Sequence, residues 1–366
     1  MTKFHCRAIK HNIRLETDSK NNTRISPCCV YKNKQLFTSI TDYYGSKDYH
    51  NLVTAQDWPA ACQVCEQTEA QGLTSYRNYF DLKPHTNTGI SFEIMPSNIC
   101  NLRCIMCSSD SSSALAKERF DIKLDTVNHS RETNQTIEQL EILKQFDNIE
   151  SISVIGGEFF LTKGNLEIMD FVKEHNLPFR VVTNATVLLD SHLQRLKSLA
   201  QLDLQISIDG VGSGYEFVRY PGKWHKFDHN TKLLIENLPN AKINFHFVAQ
   251  TQNIFQLVPT LDYTNRFRKH TRITGLVKPE YLGWQILTAE EKQSTVDTVL
   301  DQINHFKITQ TQKQQVKQIA QAILSSNHVP SLRQQFLDTV PRFYKNRKLS
   351  RSDLDQHLGV LQTLIE

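Results

Sequence analysis

The sequence predicts an α/β protein built on a parallel sheet, and three features support this prediction. The 366 residues are enough for one large α/β domain and a smaller module. From Ile90 onwards, short apolar runs alternate with amphipathic stretches, a pattern typical of βαβ units. After about Leu287 the strand pattern ends, and the chain to Glu366 has helical patterns with expected breaks at Pro330 and Pro341.

Six strands and the helices between them follow from the apolar periodicity. The predicted strands are 91–95, 151–155, 179–183, 202–208, 242–249 and 274–277. The predicted intervening helices lie around 113–120, 137–145, 165–175, 191–200 and 226–236. Because each of the first four strands is followed by at least one helix, we expect neighbouring strands to run parallel.

The charge balance disfavours a nucleic-acid partner. There are 42 Lys and Arg against 38 Asp and Glu, a net charge of +4, whereas nucleic-acid binding needs a concentrated basic face. Two basic runs with aromatic residues, 266–270 and 342–348, carry the side chains that would contact phosphates. Short runs of this kind are usually solvated, and we expect surface positions for both.

The N-terminal residues and the hydropathy indicate the compartment. Residues 1–6 run into charged sequence with no apolar segment of a signal peptide, and no apolar run approaches a membrane helix in length. We therefore expect a cytoplasmic protein with no membrane partner. In that reducing compartment the eight cysteines are expected to bind metal rather than to form disulfides.

Three cysteines form a loop directly after the first predicted strand. Cys100, Cys104 and Cys107 have the spacing C-x3-C-x2-C, and no cysteine follows them. Three closely spaced thiolates can hold a 4Fe–4S cluster and leave its fourth iron without a protein ligand. Zinc normally takes four ligands, so a structural zinc site here would need a distant fourth residue. The spacing favours an iron–sulfur cluster over zinc or buried thiols.

Polar motifs end the next three predicted strands. After 151–155 come Gly156, Gly157 and Glu158, where glycines permit close backbone approach and the carboxylate can accept from an ammonium group. Further polar residues follow the later strands, namely Asn184, Ser207, Asp209 and Arg219. Ligands of parallel α/β barrels gather at the carboxyl ends of strands, which is where these motifs fall.

Taken together, these residues resemble the radical S-adenosylmethionine (SAM) superfamily, and residues 97–113 resemble its twitch and SPASM branch. The resemblance implies a partial (β/α)6 barrel. It also implies a 4Fe–4S cluster on Cys100, Cys104 and Cys107. The resemblance also implies which residues contact SAM. The Gly156–Gly157–Glu158 turn would contact the methionyl amino group, Ser207 and Asp209 the ribose, and Arg219 the methionyl carboxylate. Asn184 occupies a further SAM-binding position of the family.

The resemblance also implies the chemistry. An external low-potential donor, such as a flavodoxin or ferredoxin, would reduce the cluster. SAM bound at the open iron would then be cleaved to a 5′-deoxyadenosyl radical, with the protein orienting and shielding the cofactor. The sequence identifies no catalytic hydrogen donor, and we expect Tyr215 and Tyr281 to be packing residues.

A second cysteine set lies near the N-terminus. It consists of Cys6, Cys28, Cys29, Cys62 and Cys65. The segment resembles twitch and SPASM modules, which normally follow the barrel, and so implies one auxiliary 4Fe–4S cluster on four of these five residues. We expect Cys6, Cys62, Cys65 and either Cys28 or Cys29. A four-cysteine zinc site would use the same residues, and free thiols are the third alternative.

The sequence therefore predicts three regions and one principal function. We expect a twitch-like auxiliary module at 1–88, a radical SAM partial barrel at 89–286 and a helical C-terminal region at 287–366. The substrate expected by resemblance is a peptide or protein. The alternatives are radical modification of a nucleoside or small metabolite, and a non-catalytic iron–sulfur or SAM-binding protein.

Overall fold

The computed structural model describes most of the chain in two compact units. The described residues are 4–18, 20–32, 37, 39–70, 75–82, 88–130, 132–162, 164–350 and 352–353. Unit 1 comprises Met1–Ile99, Glu132–Val182 and Gln194–Asp203. Unit 2 comprises Cys100–Arg131, Thr183–Leu193 and Leu204–Glu366.

Strands and helices alternate from residue 90 onwards. The strands are β1 (Asn12–Thr17), β2 (Thr23–Ser26), β3 (Ile90–Met95), β4 (Ile149–Val154), β5 (Phe179–Thr183), β6 (Leu202–Ser207), β7 (Lys242–Ala249) and β8 (Thr271–Gly275). The helices are α1 (Ala8–His11), α2 (Ile40–Gly45), α3 (Lys47–Thr54), α4 (Gln63–Ala70), α5 (Tyr76–Leu82), α6 (Ser113–Asp121), α7 (Thr136–Leu143), α8 (Asn165–Glu174), α9 (Asp190–Lys197), α10 (Gly212–Val218), α11 (Trp224–Asn237), α12 (Leu257–Asn265), α13 (Ala289–His305), α14 (Gln310–Ser325) and α15 (Pro330–Asn346).

The predicted fold class is confirmed as a mixed α/β architecture with an eight-stranded sheet and a helical C-terminal region. Five of the six predicted strands agree with the structure to within two residues. The sixth, expected at 274–277, is β8 at Thr271–Gly275, because its pairing with β7 ends at Ala249 and Gly275. Val277, which the apolar pattern included, is 56% exposed.

Unit 1 contains two strands that the sequence did not predict. β1 pairs antiparallel with β2 and parallel with β3, and β4 and β5 continue in parallel. Ile13 and Leu15 on β1 are buried, whereas Arg14 between them lies in register with Glu93 and forms an ion pair with it. The charged residues of β1 hid its apolar alternation. Of residues 83–89, at the expected boundary between the N-terminal module and the barrel, only 88 and 89 are described.

In unit 2, parallel β7 and β8 are accompanied by long helices. Phe247 of β7 packs with Leu257 and Leu261 of α12 and with residues of α13 and α14. Capping boxes at Thr288 and Thr309 fix where α13 and α14 begin. No described helix has both the length and the apolar character required to cross a membrane.

Helix α15 corrects one expectation about the C-terminal region. Pro330 occupies its first turn, where a missing amide hydrogen costs nothing, but Pro341 lies inside the helix rather than breaking it. Phe336 and Val340 are fully buried in a core that includes Ile105. Burial of this apolar face outweighs the one hydrogen bond that Pro341 cannot make.

Candidate functional site

The three-cysteine loop follows β3 and lies in unit 2. All three cysteines are free thiols, with Cys104 buried and Cys100 and Cys107 partly accessible. The amide of Cys107 donates to the carbonyl of Cys104 at 2.9 Å, which turns the chain between them. The amide of Leu102 lies 3.4 Å from Sγ of Cys100 as a hydrogen-bond donor. Amide donors to sulfur are one means by which proteins tune an iron–sulfur cluster.

Helix α6 holds the loop at its N-terminal cap. The hydroxyl of Ser112 donates to the carbonyl of Leu102 at 2.7 Å and accepts from the amide of Leu115 at 3.1 Å. On the other side, the amide of Arg103 donates to the carbonyl of Tyr220 at 2.6 Å. The loop backbone is therefore anchored at two consecutive residues between Cys100 and Cys104.

A buried ion pair from the C-terminal helix also supports this loop. Arg347 donates to both carboxylate oxygens of Glu118, with Nε–Oε1 at 2.9 Å and Nη2–Oε2 at 2.7 Å. Nη2 of Arg347 also donates to the carbonyl of Arg103, and its guanidinium lies 4.8 Å from the ring centroid of Tyr220. The expectation that 342–348 is solvated is wrong for Arg347, because only 7% of it is exposed.

A cation lies beside the loop thiols. Burial raises the pKa of Cys104 to about 12, while the positive charge of Arg219 acts in the opposite direction. Burial also raises the pKa of Cys107, again opposed by Arg219. Arg219 therefore favours the thiolate forms that an iron–sulfur cluster requires.

Arg219 and Asp209 are brought together in the structure. Nη2 of Arg219 lies 2.6 Å from Oδ2 of Asp209, which is fully buried, and Oδ1 of Asp209 accepts from the amide of Val248 at 2.8 Å. Asp209 raises the pKa of Arg219 against the opposing effect of burial. Nε of Arg219 is buried without a hydrogen-bond partner among the described residues. That donor fits an anionic ligand group.

Asn184 is placed directly beside the cysteine loop. Its Nδ2 donates to Oδ1 of Asn101 at 3.1 Å and lies 3.9 Å from Sγ of Cys100. Its Oδ1 accepts from the amide of Thr186 at 2.9 Å. Ala185 follows with φ +53°, a conformation that favours glycine. This turn aims Asn184 at the loop rather than at solvent.

The Gly156–Gly157–Glu158 turn belongs to unit 1. Both glycines have positive φ, +79° and +56°, and a Cβ on Gly157 would lie 2.6 Å from the carbonyl oxygen of Ile99. The amide of Glu158 donates to that same carbonyl at 2.7 Å, and Ile99 is the residue before Cys100. Glu158 itself is buried. The glycines are therefore required for the turn to pack on the backbone that leads into the loop.

A polar face on three strands of unit 2 was not predicted as part of the site. Nε2 of Gln205 on β6 lies 3.2 Å from Nδ1 of His246 on β7, and Nε2 of His246 lies 2.8 Å from Oγ1 of Thr274 on β8. On β7 the half-buried residues, including His246, alternate with the buried ones that face the helices. Ser207 and Asp209 follow Gln205 at two-residue steps and so share its face.

With the amide nitrogen of Gln205 placed toward His246, one tautomer of the histidine ring satisfies both hydrogen bonds. Because the amide nitrogen of Gln205 only donates, Nδ1 of His246 accepts, and its Nε2–H donates to Thr274. The hydroxyl hydrogen of Thr274 then has no acceptor among the described residues and is available to another molecule. Period-two alternation of Asn, His and Val in 242–249 was the signal in the sequence that could have indicated this face.

The second cysteine set surrounds one cavity in unit 1. The cavity has about 330 Å³ of empty space and is lined by Cys6, Cys28, Cys62 and Cys65, whereas Cys29 is absent from its lining. Its walls also include Phe4, Tyr31, Trp58, Arg77 and Phe80.

Burial raises the pKa of three of the thiols around this cavity. Burial raises the pKa of Cys6 to about 12 and that of Cys62 to about 11, and Cys65 contributes to both shifts. Burial also raises the pKa of Cys28 well above its ordinary range. The mutual influence of these thiols shows that four cysteines share one space.

The thiols of both cysteine sets are donors of the type that iron–sulfur clusters and zinc require. Within the described residues, no group of three or more His, Cys, Asp or Glu side chains is arranged as a metal site. Metal binding at either set would release the protons of its thiols. Tyr215 and Tyr281 are buried, and the ring of Tyr215 lies 4.7 Å from that of Phe227, as expected of packing residues.

Comparison with known proteins identifies the central part of the chain. Residues 94–263 match the sequence model of the Radical SAM superfamily. A little under half of the chain is therefore similar to this superfamily. The expectation of a radical SAM enzyme is thereby confirmed at the level of the family, which uses SAM and a 4Fe–4S cluster.

Two curated relatives are similar in sequence to part of this chain. Mycofactocin maturase MftC of Mycolicibacterium smegmatis is 28% identical over 207 residues, which cover 54% of this chain and 48% of that protein. Its counterpart in Mycobacterium tuberculosis is 26% identical over 181 residues, covering 48% and 42%. The chain thus spans about half the length of the curated relatives it matches.

Solved structures with some likeness include two that hold bound S-adenosylmethionine. Streptococcus suis SuiB with bound S-adenosylmethionine is 12% identical, with a TM-score of 0.43, covering 83% of this chain and 71% of that chain. The protein anSMEcpe with bound AdoMet is 17% identical, also with a TM-score of 0.43, covering 58% and 57%.

Proposed function

We propose that the chain reductively cleaves SAM and uses the resulting 5′-deoxyadenosyl radical to modify a peptide or protein. The observation that carries the first part is the loop of Cys100, Cys104 and Cys107 inside a radical SAM domain. When bound, the 4Fe–4S cluster supplies the electron that breaks the sulfonium bond, and an external flavodoxin or ferredoxin supplies the electron to the cluster.

The residues around the loop would bind and orient SAM. Nε of Arg219 offers a buried donor for the methionyl carboxylate, while Asp209 keeps that guanidinium in place. Asn184, beside Cys100, and Ser207 are proposed to face the nucleoside part. The Gly156–Gly157–Glu158 turn is proposed for the methionyl amino group. The donor and acceptor types of these residues match those groups.

The polar face of β6, β7 and β8 supports a hydrogen-bonding substrate. Gln205 and His246 hold Thr274 so that its hydroxyl hydrogen is available, and a peptide carbonyl is an acceptor of the right kind. The relatives named maturases agree with a substrate of this class. These two observations together favour a peptide over an apolar small molecule.

An auxiliary 4Fe–4S cluster on Cys6, Cys28, Cys62 and Cys65 completes the proposal. These four residues line one cavity, and the resemblance of this segment to twitch modules favours a 4Fe–4S cluster over zinc there. Aromatic walls would keep water from the cluster. A zinc site is the competing outcome, and metal analysis of anaerobically prepared protein separates the two.

The decisive experiment measures 5′-deoxyadenosine after anaerobic reconstitution and reduction. The wild type should release it from SAM, and Cys104→Ala should not. Pools of peptides should stimulate the release more than pools of nucleosides, and Thr274→Val should reduce that stimulation without lowering the substrate-free rate. A fully reconstituted, reduced wild type that never releases 5′-deoxyadenosine would establish a non-catalytic binder instead.

A further inference from the structure

A basic cleft in unit 2 is not used by the proposed chemistry. It lies between the chain entering β8 and the beginning of α14, with about 1210 Å³ of empty space that includes its open mouth. Arg268, Lys269 and His270 line one part of it, and Lys307, Thr311 and Gln315 line another. The first three belong to a basic run that the sequence suggested would be solvated surface.

The cations of this cleft are not neutralised within the described part of the chain. Arg268, Lys269 and Lys307 form no ion pair with any described residue, and no Asp or Glu is among the lining residues. Arg266, in the same run but outside the lining, is instead paired with Asp262 at 3.1 Å. The concave surface therefore concentrates positive charge that has no internal partner, although the whole chain is nearly neutral.

Helix α14 adds donors to the same cleft. Its first turn contains no acidic residue, so the partial positive charge of its N-terminus is uncompensated. The side-chain amides of Asn265 and Gln312 form two reciprocal hydrogen bonds of 2.9 Å. The side chains of Thr311 and Gln315 make no hydrogen bond with a described residue. Cations, a hydroxyl and an amide thus converge on one space.

The lining favours one class of anionic partner. Single-stranded nucleic acids and nucleotides gain much of their binding from bases stacked on aromatic side chains, and the described lining has no Phe, Tyr or Trp. Carboxylates bind Lys and Arg, while peptide groups bind amides and hydroxyls. We propose that this basic cleft binds an acidic peptide segment.

The position of the cleft separates binding there from the radical chemistry. Lys269 and His270 precede β8, whereas the polar motifs lie at the carboxyl ends of the strands. Five strand residues at about 3.3 Å each put roughly 15 Å between the two ends of β8. An acidic segment in the cleft would anchor a polypeptide whose reacting residue lies elsewhere. That this polypeptide is the substrate rests on the function proposed above.

The test uses fluorescence anisotropy with labelled hexaglutamate and the full-length reconstituted protein. Hexaglutamate should bind more tightly than hexaglutamine, and added salt should weaken it. The double variant Lys269→Gln/Lys307→Gln should weaken binding by about tenfold or more, whereas Arg266→Gln should change it by less than about twofold. Unchanged thermal unfolding and unchanged 5′-deoxyadenosine release would show that both variants are folded.

Three results would overturn the proposal. These are equal affinity for hexaglutamate and hexaglutamine, equal affinity of the wild type and the double variant, or tighter binding of oligothymidylate than of hexaglutamate. The last result would assign the cleft to phosphates. Because binding is measured without turnover, hexaglutamate binding by a protein that releases no 5′-deoxyadenosine would refute the proposed function and leave the cleft proposal standing.

Discussion

The two cysteine sets share a ligand type but differ in their surroundings. Cys100, Cys104 and Cys107 lie beside a cation and polar side chains that can meet a ligand. The four cysteines of the N-terminal cavity lie among aromatic rings, and burial raises the pKa of Cys6, Cys28 and Cys62. The two sets therefore differ more in the groups around their thiols than in the number of thiols. A loop open to a ligand is polar on its free side, whereas a closed ligand set is surrounded by apolar walls.

The largest expected effect is a loss of activity that distinguishes the three-cysteine loop from the N-terminal cysteines. Cys104→Ala should reduce 5′-deoxyadenosine formation to background, because the buried thiol is central to the proposed radical-generating loop. About half of the iron should remain, on the N-terminal cysteines. Iron and product are measured on the same anaerobic sample. Loss of all iron from this variant would contradict two independent sites.

The next effect tests the N-terminal ligand set. Cys62→Ala should lower iron from about eight to about four atoms per chain if both groups are 4Fe–4S clusters. Cys29→Ala is the matched control and should retain all the iron, because Cys29 does not line the cavity. About four irons with one zinc in the wild type would instead assign zinc to this cavity. Equal iron loss in both variants would refute the choice of Cys28 over Cys29.

A smaller effect concerns the support of the three-cysteine loop. Arg347→Met removes the two-pronged partner of the buried carboxylate of Glu118, which keeps only Asn346 at 3.1 Å and Arg103 at 3.9 Å, and should lower the free energy of unfolding by about 3 kcal/mol. Denaturant unfolding of the metal-free chain measures this. Arg342→Met, on the same helix at an exposed position, should change stability by less than about 0.5 kcal/mol. Equal effects of the two substitutions on the free energy of unfolding would show that the buried ion pair contributes no additional stability.

The smallest effect concerns Arg77 in the wall of the N-terminal cavity. Hydrogen bonding from Arg77 lowers the pKa of Glu69 below its ordinary value of 4.5. The stabilisation from this pair is therefore present above pH 4.5 and is lost as the pH falls through the lowered pKa. Glu69→Gln should cost up to about 1 kcal/mol at pH 7 and progressively less in acid. Urea unfolding at several pH values checks this, and a pH-independent difference would contradict it.

Much of the fold could be predicted because its periodicity is local. Strands 179–183 and 242–249 were predicted at their observed bounds, since each alternates buried and half-buried residues. β1 could not be found this way because the charged residues Arg14 and Glu16 interrupt its apolar pattern, and only the folded structure shows that Arg14 pairs with both Glu16 and Glu93. The prediction of a break at Pro341 was wrong because it considered only the local effect of proline on a helix. The burial of α15 against the core, which keeps the helix intact, depends on residues far away in the sequence.

The site was predictable in its residue types but not in its pairings. The spacing of Cys100, Cys104 and Cys107 is visible in the sequence, whereas the pairing of Arg219 with Asp209 depends on folding. The partner of Glu118 lies 229 residues away, at Arg347. No pattern within a short window can indicate such a contact.

The contact of Arg347 with the carbonyl of Arg103 has a consequence for the order of synthesis. The two residues are 244 positions apart, so the ribosome must add 244 residues after Arg103 before the loop can receive this support. At about 5–20 residues per second, this interval is roughly 12–50 seconds. The newly made three-cysteine loop lacks this contact for that time, whereas the N-terminal cysteines have already been synthesised.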